Sequence, residues 1–320
     1  MWSSETRRTF PLASVKPLTG MFAYRDACLD ATKAVLKQGI IRRATSPLTG
    51  ARLDVFGEVD GLAYVRCPDT GSLFLADVAP AELWSSLLKK ANDLRRSPRA
   101  FHSDIAESRV ENVYRPKLEW IQSTLVLQQI HRPSLIEVTT TPSEFLPMLE
   151  DSGVFRHSAS IDETDLTNGR TRPQAEVLLL PESLDRTHDP KGLLESAAAC
   201  LVPGGFIFVT GLVSSGFDMA VLGTRNVYLY PPDRTNCFSL RGLEMLLTQA
   251  GFELLEVSTP GVLDVEIVRA HVKQDEAIPL SGFERELLAG NDRVHSAFQT
   301  FLQQNGMSSF ARVVARRKTA

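Results

Sequence analysis

The chain has 320 residues, which at roughly 150 per domain suggests about two domains and ample length for a core. Apolar residues make up 43% of it and charged residues 23%, an ordinary globular composition that excludes wholesale disorder. Thirty-five Lys and Arg against 38 Asp and Glu leave a formal net charge of −3, so there is no bulk positive field and no nucleic-acid partner is expected.

In chain order, residues 1–45 carry one expected helix, around residues 25–37. Residues 50–76 are punctuated by Gly50, Gly57, Gly61 and Gly71 and contain LAYVRC and GSLFLA, which read as strands. After the Pro80 turn, ELWSSLLKKAND reads as a helix, and another leads up to Ile130 before the break at His131-Arg132-Pro133. From Ser134 short apolar runs alternate with capped helices. LIEV (135–138) is a buried strand, and Thr141-Pro142-Ser143-Glu144 reads as a helix start, with Thr as N-cap, Pro at the first helical position and Glu closing a capping box. A second strand is expected over 155–161 and a third over 176–180. Asp189-Pro190 caps a helix with apolar positions Leu193, Leu194, Ala197, Ala198 and Leu201, and Pro203-Gly204-Gly205 stops it before the strand FIFVT. Ser239 caps a helix ended by Gly251, followed by FELLEV. This alternation implies α/β, a doubly wound sheet that is mostly parallel and covered on both faces.

The four cysteines, Cys28, Cys67, Cys200 and Cys237, form no C-x-x-C pair, so cysteine alone builds neither a zinc site nor a redox dithiol. Cys200 falls in a helix core pattern and reads as inert. The opening MWSSETRRTFPLASVKPLTG has no apolar run of signal-peptide type, and the most apolar window, residues 197–213, is broken by Pro203-Gly204-Gly205. The expectation is a soluble, cytoplasmic protein with no membrane partner.

LVPGGFIFVT resembles the L-x-P-G-G strand of class I S-adenosylmethionine-dependent methyltransferases. FSLRGLEMLLTQAGFELLEVSTPGVLDVEIV and FQTFLQQNGMSSFARVVARRK resemble the later helices and strands of a bacterial subgroup with an N-terminal zinc ribbon. The resemblance runs in register from about Thr45 to Lys318. It implies a seven-stranded Rossmann-like sheet over 133–320 with a helical insertion at about 262–306. Ahead of it would lie a helical extension (1–45), a ribbon-like β module (46–80) and a helical linker (81–132).

Against that pattern the chemistry-bearing positions differ. The family's acidic-x-Gly-x-Gly-x-Gly cofactor loop is matched by Glu137, Thr139, Thr141 and Ser143, with Pro142 inside it. Glycine lets backbone N–H groups approach a ligand at positive φ, where a β-branched residue costs on the order of 1–2 kcal/mol. Pro142 also removes a donor. The ribbon's paired cysteines correspond to Ser46, Thr49, Cys67 and Thr70, one thiol where zinc wants four ligands, so no metal is expected. The ribbon would then rest on apolar pairs among Leu53, Val55, Tyr64, Val65, Leu73 and Phe74. Histidines of the family pattern are replaced at Arg186, at Arg234 within Pro231–Asn236, and at Phe310 after Ser308-Ser309.

Candidate residues each have an ordinary alternative. Glu137 is a cofactor-side carboxylate or a solvated cap, and Asp162 matches the ribose-binding acid but strand-end acids are common. His188 and His157 are candidate bases or surface residues, and His188 precedes an N-cap. Asp233, Arg234 and Asn236 stand in a loop at the ligand-binding end of the sheet, or form a solvated ion pair. Asp264 and Glu266 share one face if 263–268 is extended, a paired acid and base or simply a wet face. Tyr228 and Tyr230 line a pocket or pack a loop, and Arg316-Arg317-Lys318 is a basic end. Two functions follow. One is a pseudoenzyme with no cofactor, working as a protein partner, for instance of an active paralogue. The alternative is an active S-adenosylmethionine-dependent methyltransferase with a divergent loop and a small-molecule or sugar acceptor. A third option is the same fold put to use on another ligand.

Overall fold

The computed structural model describes residues 12–16, 18–96, 106–140, 143–169, 173–275 and 277–319. Helix α1 (Leu18–Leu36) starts earlier than its expected core and buries Met21, Tyr24, Cys28 and Leu29. After β1 (Ile41–Arg42), strands β2 (Asp54–Val59), β3 (Leu62–Arg66) and β4 (Leu73–Leu75) form an antiparallel ribbon. The two-residue β5 (Asp77–Val78) pairs with β1. Helix α2 (Ala81–Arg96) then buries Trp84, Leu87, Leu88 and Ala91 at helical spacing against α1. Helix α3 (Ala106–Arg109) runs through a π-helical stretch, Val110–Tyr114, into α4 (Arg115–Leu127).

The large sheet is built from β6 (Ser134–Val138), β7 (His157–Ile161), β8 (Ala175–Pro181), β9 (Leu201–Leu212), β11 (Phe252–Ser258) and β12 (Phe310–Arg317). Its order is β11-β12-β9-β8-β6-β7, with β7, β6, β8 and β9 parallel and β12 antiparallel to both its neighbours. Side-chain alternation divides the two faces. Leu135, Val177, Leu179, Phe206, Phe208 and Val314 meet Trp120, Ile121 and Leu125 of α4 and Leu146 and Leu149 of α5 (Leu146–Asp151). Ile136, Val138, Leu178, Leu180, Ile207, Val209 and Val313 meet the helices α8 (Pro190–Cys200) and α10 (Leu240–Gln249). Between these lie α6 (Glu163–Thr167), α7 (Ser183–Arg186), α9 (Phe217–Leu222) and β10 (Asn236–Cys237), and the chain closes through α11 (Asp264–Gln274), α12 (Gly282–Ala289) and α13 (Asp292–Gln304). The ribbon is joined to the large domain, because β10 pairs with β4 as the fourth strand of the small sheet.

Four expectations need correction. Six strands, not seven, stand in the large sheet among the described residues, because only the 13 residues 162–174 separate β7 from β8 and α6 takes five of them. The expected N-cap and first helical residue, Thr141 and Pro142, lie outside the described residues, and Ser143 and Glu144 after them are not helical. Helix α5 starts at Leu146 without a side-chain cap, because the Ser143 N–H and hydroxyl are drawn to the buried Glu137 carboxylate instead. Helix α8 ends at Cys200, and Pro203-Gly204-Gly205 lies inside β9, with Gly204 at φ +77°. Residues 264–268 are helical, not extended. Asp189 and Ser239 do cap α8 and α10, each accepting a hydrogen bond from a backbone N–H three residues on. No helix of the described residues is long and apolar enough to cross a membrane.

Candidate functional site

The strand order turns at β6, whose neighbours β7 and β8 lie on opposite sides, so ligands are expected beyond the carboxyl ends of the parallel strands. A cavity of about 220 Å³ opens at that end. Glu182 after β8, Leu212 at the end of β9, Gly261 after β11 and Ser309 before β12 form its floor. Lys16 and the α3–α4 segment, with Arg109, Tyr114 and Lys117, form its roof. Arg109 and Lys117 stand on either side of the π-helical stretch, and both line the cavity.

Five cations line it: Lys16, Arg109, Lys117, Arg234 and Arg312. Four of them rest on aromatic rings. Lys16 lies 3.5 Å from the Tyr228 centroid, Arg109 5.2 Å from Tyr114, Lys117 5.4 Å from Phe145 and Arg312 5.0 Å from Trp120. Burial pushes the Lys16 and Lys117 amines down to about 8. Arg234 instead pairs with Glu182 at 2.7 Å and with Asp185 at 3.5 Å. Burial acts to raise Glu182, but Arg234, Arg186 and Arg95 hold its carboxyl far below the usual range. Its backbone sits at φ +62°, a strained conformation for a residue with a Cβ.

Two further carboxylates bracket Ser309. Asp264 accepts from the Ser309 N–H at 2.6 Å, from the Ser308 hydroxyl at 2.5 Å and from Gln299 at 2.7 Å. Asp218 accepts from the Ser309 hydroxyl and from the Met219 N–H and Asn226 amide. Burial, with Asp264 close by, raises the Asp218 carboxyl to about 7. Gly216 and Gly261 permit this arrangement, since a Cβ on either would lie 2.0–2.1 Å from the hydroxyl of Ser309 or Ser308.

Residues 101–257 match the family model described as a methyltransferase domain. That stretch, just under half of the chain, is similar to a methyltransferase domain. Solved structures similar in fold include the 1,6-didemethyltoxoflavin-N1-methyltransferase of Burkholderia thailandensis, with bound 1,6-didemethyltoxoflavin and S-adenosylhomocysteine (10% identity, TM-score 0.45, 83% of this chain and 100% of that one). Others are an S-adenosylmethionine-dependent methyltransferase of Mesorhizobium loti (13%, 0.37, 62% and 97%) and phosphoethanolamine N-methyltransferase 2 of Haemonchus contortus in complex with S-adenosyl-L-methionine (12%, 0.40, 62% and 53%). No curated protein sequence matches the chain.

The positions that the resemblance assigns to a cofactor lie outside the cavity lining. Glu137 is fully buried, with one oxygen accepting the Ser143 N–H at 3.0 Å and the other the Ser143 hydroxyl at 2.5 Å. Burial nevertheless raises its carboxyl above the ordinary value. The Thr139 N–H donates to the Ile161 carbonyl at 3.0 Å, and Thr141 and Pro142 lie outside the described residues. Asp162 caps α6, accepting from the Thr164 N–H and hydroxyl. Of Asp233, Arg234 and His188, Arg234 is the one that lines the cavity. Asp233 stands behind it, held by Arg95 at 2.7 Å, Arg186 at 3.2 Å and the hydroxyls of Tyr24 and Tyr230. His188 contributes its carbonyl to Arg43, which also binds Asn236. His157 is exposed at the start of β7, the opposite end from the ligand crevice. Asp264 reaches the cavity, whereas Glu266 turns away to Arg269, so the two do not act as a pair.

Sequence reasoning missed Lys16, Arg109, Lys117, Glu182, Asp218 and Arg312. For Lys117 a signal existed: it shares the buried helical face of Tyr114, Ile121 and Thr124, where a lysine is out of place. Among the described residues no group of three or more His, Cys, Asp and Glu is arranged to hold a metal. Ser46, Thr49, Cys67 and Thr70 do converge. Burial pushes the Cys67 thiol up, and hydrogen bonds from the Ser46, Thr70 and Thr49 side chains outweigh it, leaving the thiol below its ordinary value.

Proposed function

We propose that this methyltransferase-fold chain has given up S-adenosylmethionine binding and catalysis and serves as a binding partner, of an active paralogue or of another protein. The observation that carries the reading is the clasp between Glu137 and Ser143, which occupies both carboxylate oxygens with the third glycine position of the loop. Thr139 adds a β-branched side chain at the first, and one Asp162 oxygen is taken up in capping α6. Residues arranged in this way do not fit the nucleoside.

A second reading, an active S-adenosylmethionine-dependent methyltransferase acting on a small molecule or sugar, is favoured by the charged cavity at the strand ends. Methyl transfer by in-line displacement depends mainly on positioning, which such a cavity supplies. Calorimetric titration with S-adenosylmethionine and S-adenosylhomocysteine separates the two. The expected result is no heat from the wild type, with binding regained in the Thr139→Gly/Thr141→Gly/Ser143→Gly variant. Micromolar binding by the wild type would overturn the first reading and leave the second.

A further inference from the structure

Lys117 is 8% exposed, and the space it borders is the cavity. A buried ammonium costs several kcal/mol unless an anion or a set of acceptors compensates it. Among the described residues no carboxylate or carbonyl makes an ion pair or hydrogen bond with its Nζ, and its neighbour is the Phe145 ring at 5.4 Å. A ring face attracts a cation yet accepts none of its N–H bonds in the way a carboxylate does, so the three donors of Lys117 remain for something else. Lys16 and Arg312 also lie over rings beside the same space, and Arg109, over Tyr114, donates in addition to the Val15 carbonyl at 3.4 Å and pairs with Glu144 at 4.0 Å.

The carboxylates of the lining are committed elsewhere. Glu182 is taken by Arg234, Asp264 by Ser308, Ser309 and Gln299, and Asp218 by Ser309 and Asn226. Of the lining's cations, Arg234 is answered by Glu182 and Asp185 and Arg109 by Glu144, whereas among the described residues no carboxylate stands at ion-pair distance from Lys117. At about 220 Å³ the cavity falls below the roughly 300–1,000 Å³ of drug-sized ligand sites, so its occupant is small.

We propose that this cavity binds a small molecule through an anionic group, a carboxylate or a phosphate, seated against the Lys117 ammonium with Arg312 and Lys16 beside it. The inference rests on the cavity being a ligand site and is independent of whether the cofactor loop binds its nucleoside. The bound anion compensates the buried charge, and the hydroxyl and carboxylate wall at Asp218, Ser309 and Asp264 faces the ligand's polar remainder.

The test is calorimetric titration of the full chain, without nucleoside, with inorganic phosphate, pyrophosphate, succinate and the uncharged succinamide. Binding of at least one anion, no binding of succinamide, and a loss of about tenfold or more in affinity in Lys117→Met would support the proposal. Phosphate against succinate then tells which anion the site prefers. Lys117→Met removes an uncompensated buried charge, so a thermal melt without ligand should show it at least as stable as the wild type. A lower melting temperature in that variant would mean that the chain itself compensates the ammonium, and would overturn the proposal. So would silence from all three anions, or equal affinity in wild type and Lys117→Met.

Discussion

At the scale of single residues the molecule holds several buried charges, and their protonation should be visible in its stability. Glu163, beside Asp162 at the start of α6, is 5% exposed, and burial pushes its carboxyl up to about 7. The folded chain then keeps a proton that the unfolded chain releases above about pH 4. The resulting stabilisation is complete below that pH and is lost as pH rises through about 7. Melting temperatures measured from about pH 5 to pH 8 should fall less steeply in Glu163→Gln than in the wild type. The charged site illustrates why such residues escape a linear reading. Lys16, Lys117, Glu182 and Arg312 come from four separate segments, and three sit in patterns that read as ordinary turn, helix or strand. Arg312 stands in β12 with buried Ala311 and Val313 on either side, so its position looks like a wet edge until the strand is seen in the middle of the sheet.

Elements were legible wherever a local rule and the tertiary environment agreed. Asp189 and Ser239 cap helices because their oxygens stay turned to the Gly192 and Gly242 N–H groups, the Ser72 hydroxyl beside Ser239 notwithstanding. Ser143 fails as part of a helix start because a buried carboxylate on the neighbouring strand competes for its donors and wins. Residues 264–268 misled because Asp264 lies on the buried face of α11 with Val265, Ile267 and Val268, so a period of two in carboxylates concealed a helical period in burial. The start of α9 carries its own constraint. A Cβ at Gly216 would lie 2.3 Å from the Ser309 Cα, a backbone atom that cannot rotate aside. Gly216→Ala should destabilise the chain by about 1–3 kcal/mol, as overpacking does, measured by denaturant unfolding against the wild type. It should also separate Ser309 from Asp218.

Taken as a whole, the molecule stands on three apolar clusters that cross the expected domain boundaries. Leu48, Cys67 and Phe74 of the ribbon belong to the same cluster as the sheet and α8, and Trp84 of α2 donates its indole N–H to the Arg186 carbonyl at 2.9 Å. Tyr64 of β3 donates to the Arg234 carbonyl at 2.7 Å, and Ser72 meets the Ser239 cap. With that many shared contacts, heating should unfold the ribbon and the large α/β domain together. Near-ultraviolet circular dichroism and the fluorescence of Trp84, in the helix that follows the ribbon, should report coincident midpoints. Two separated transitions would show that they fold as independent units.

The pairing of β10 with β4 has a consequence for how such a chain can change over generations. Asn236 and Cys237 complete a sheet whose other strands lie more than 150 residues earlier. The Asn236 amide also holds the Leu184 and Thr187 carbonyls. The first 80 residues are therefore not an interchangeable cassette. A recombination event that replaced them with the front of a relative would strand a two-residue edge in the recipient, and only exchanges that carry both segments would leave an intact protein.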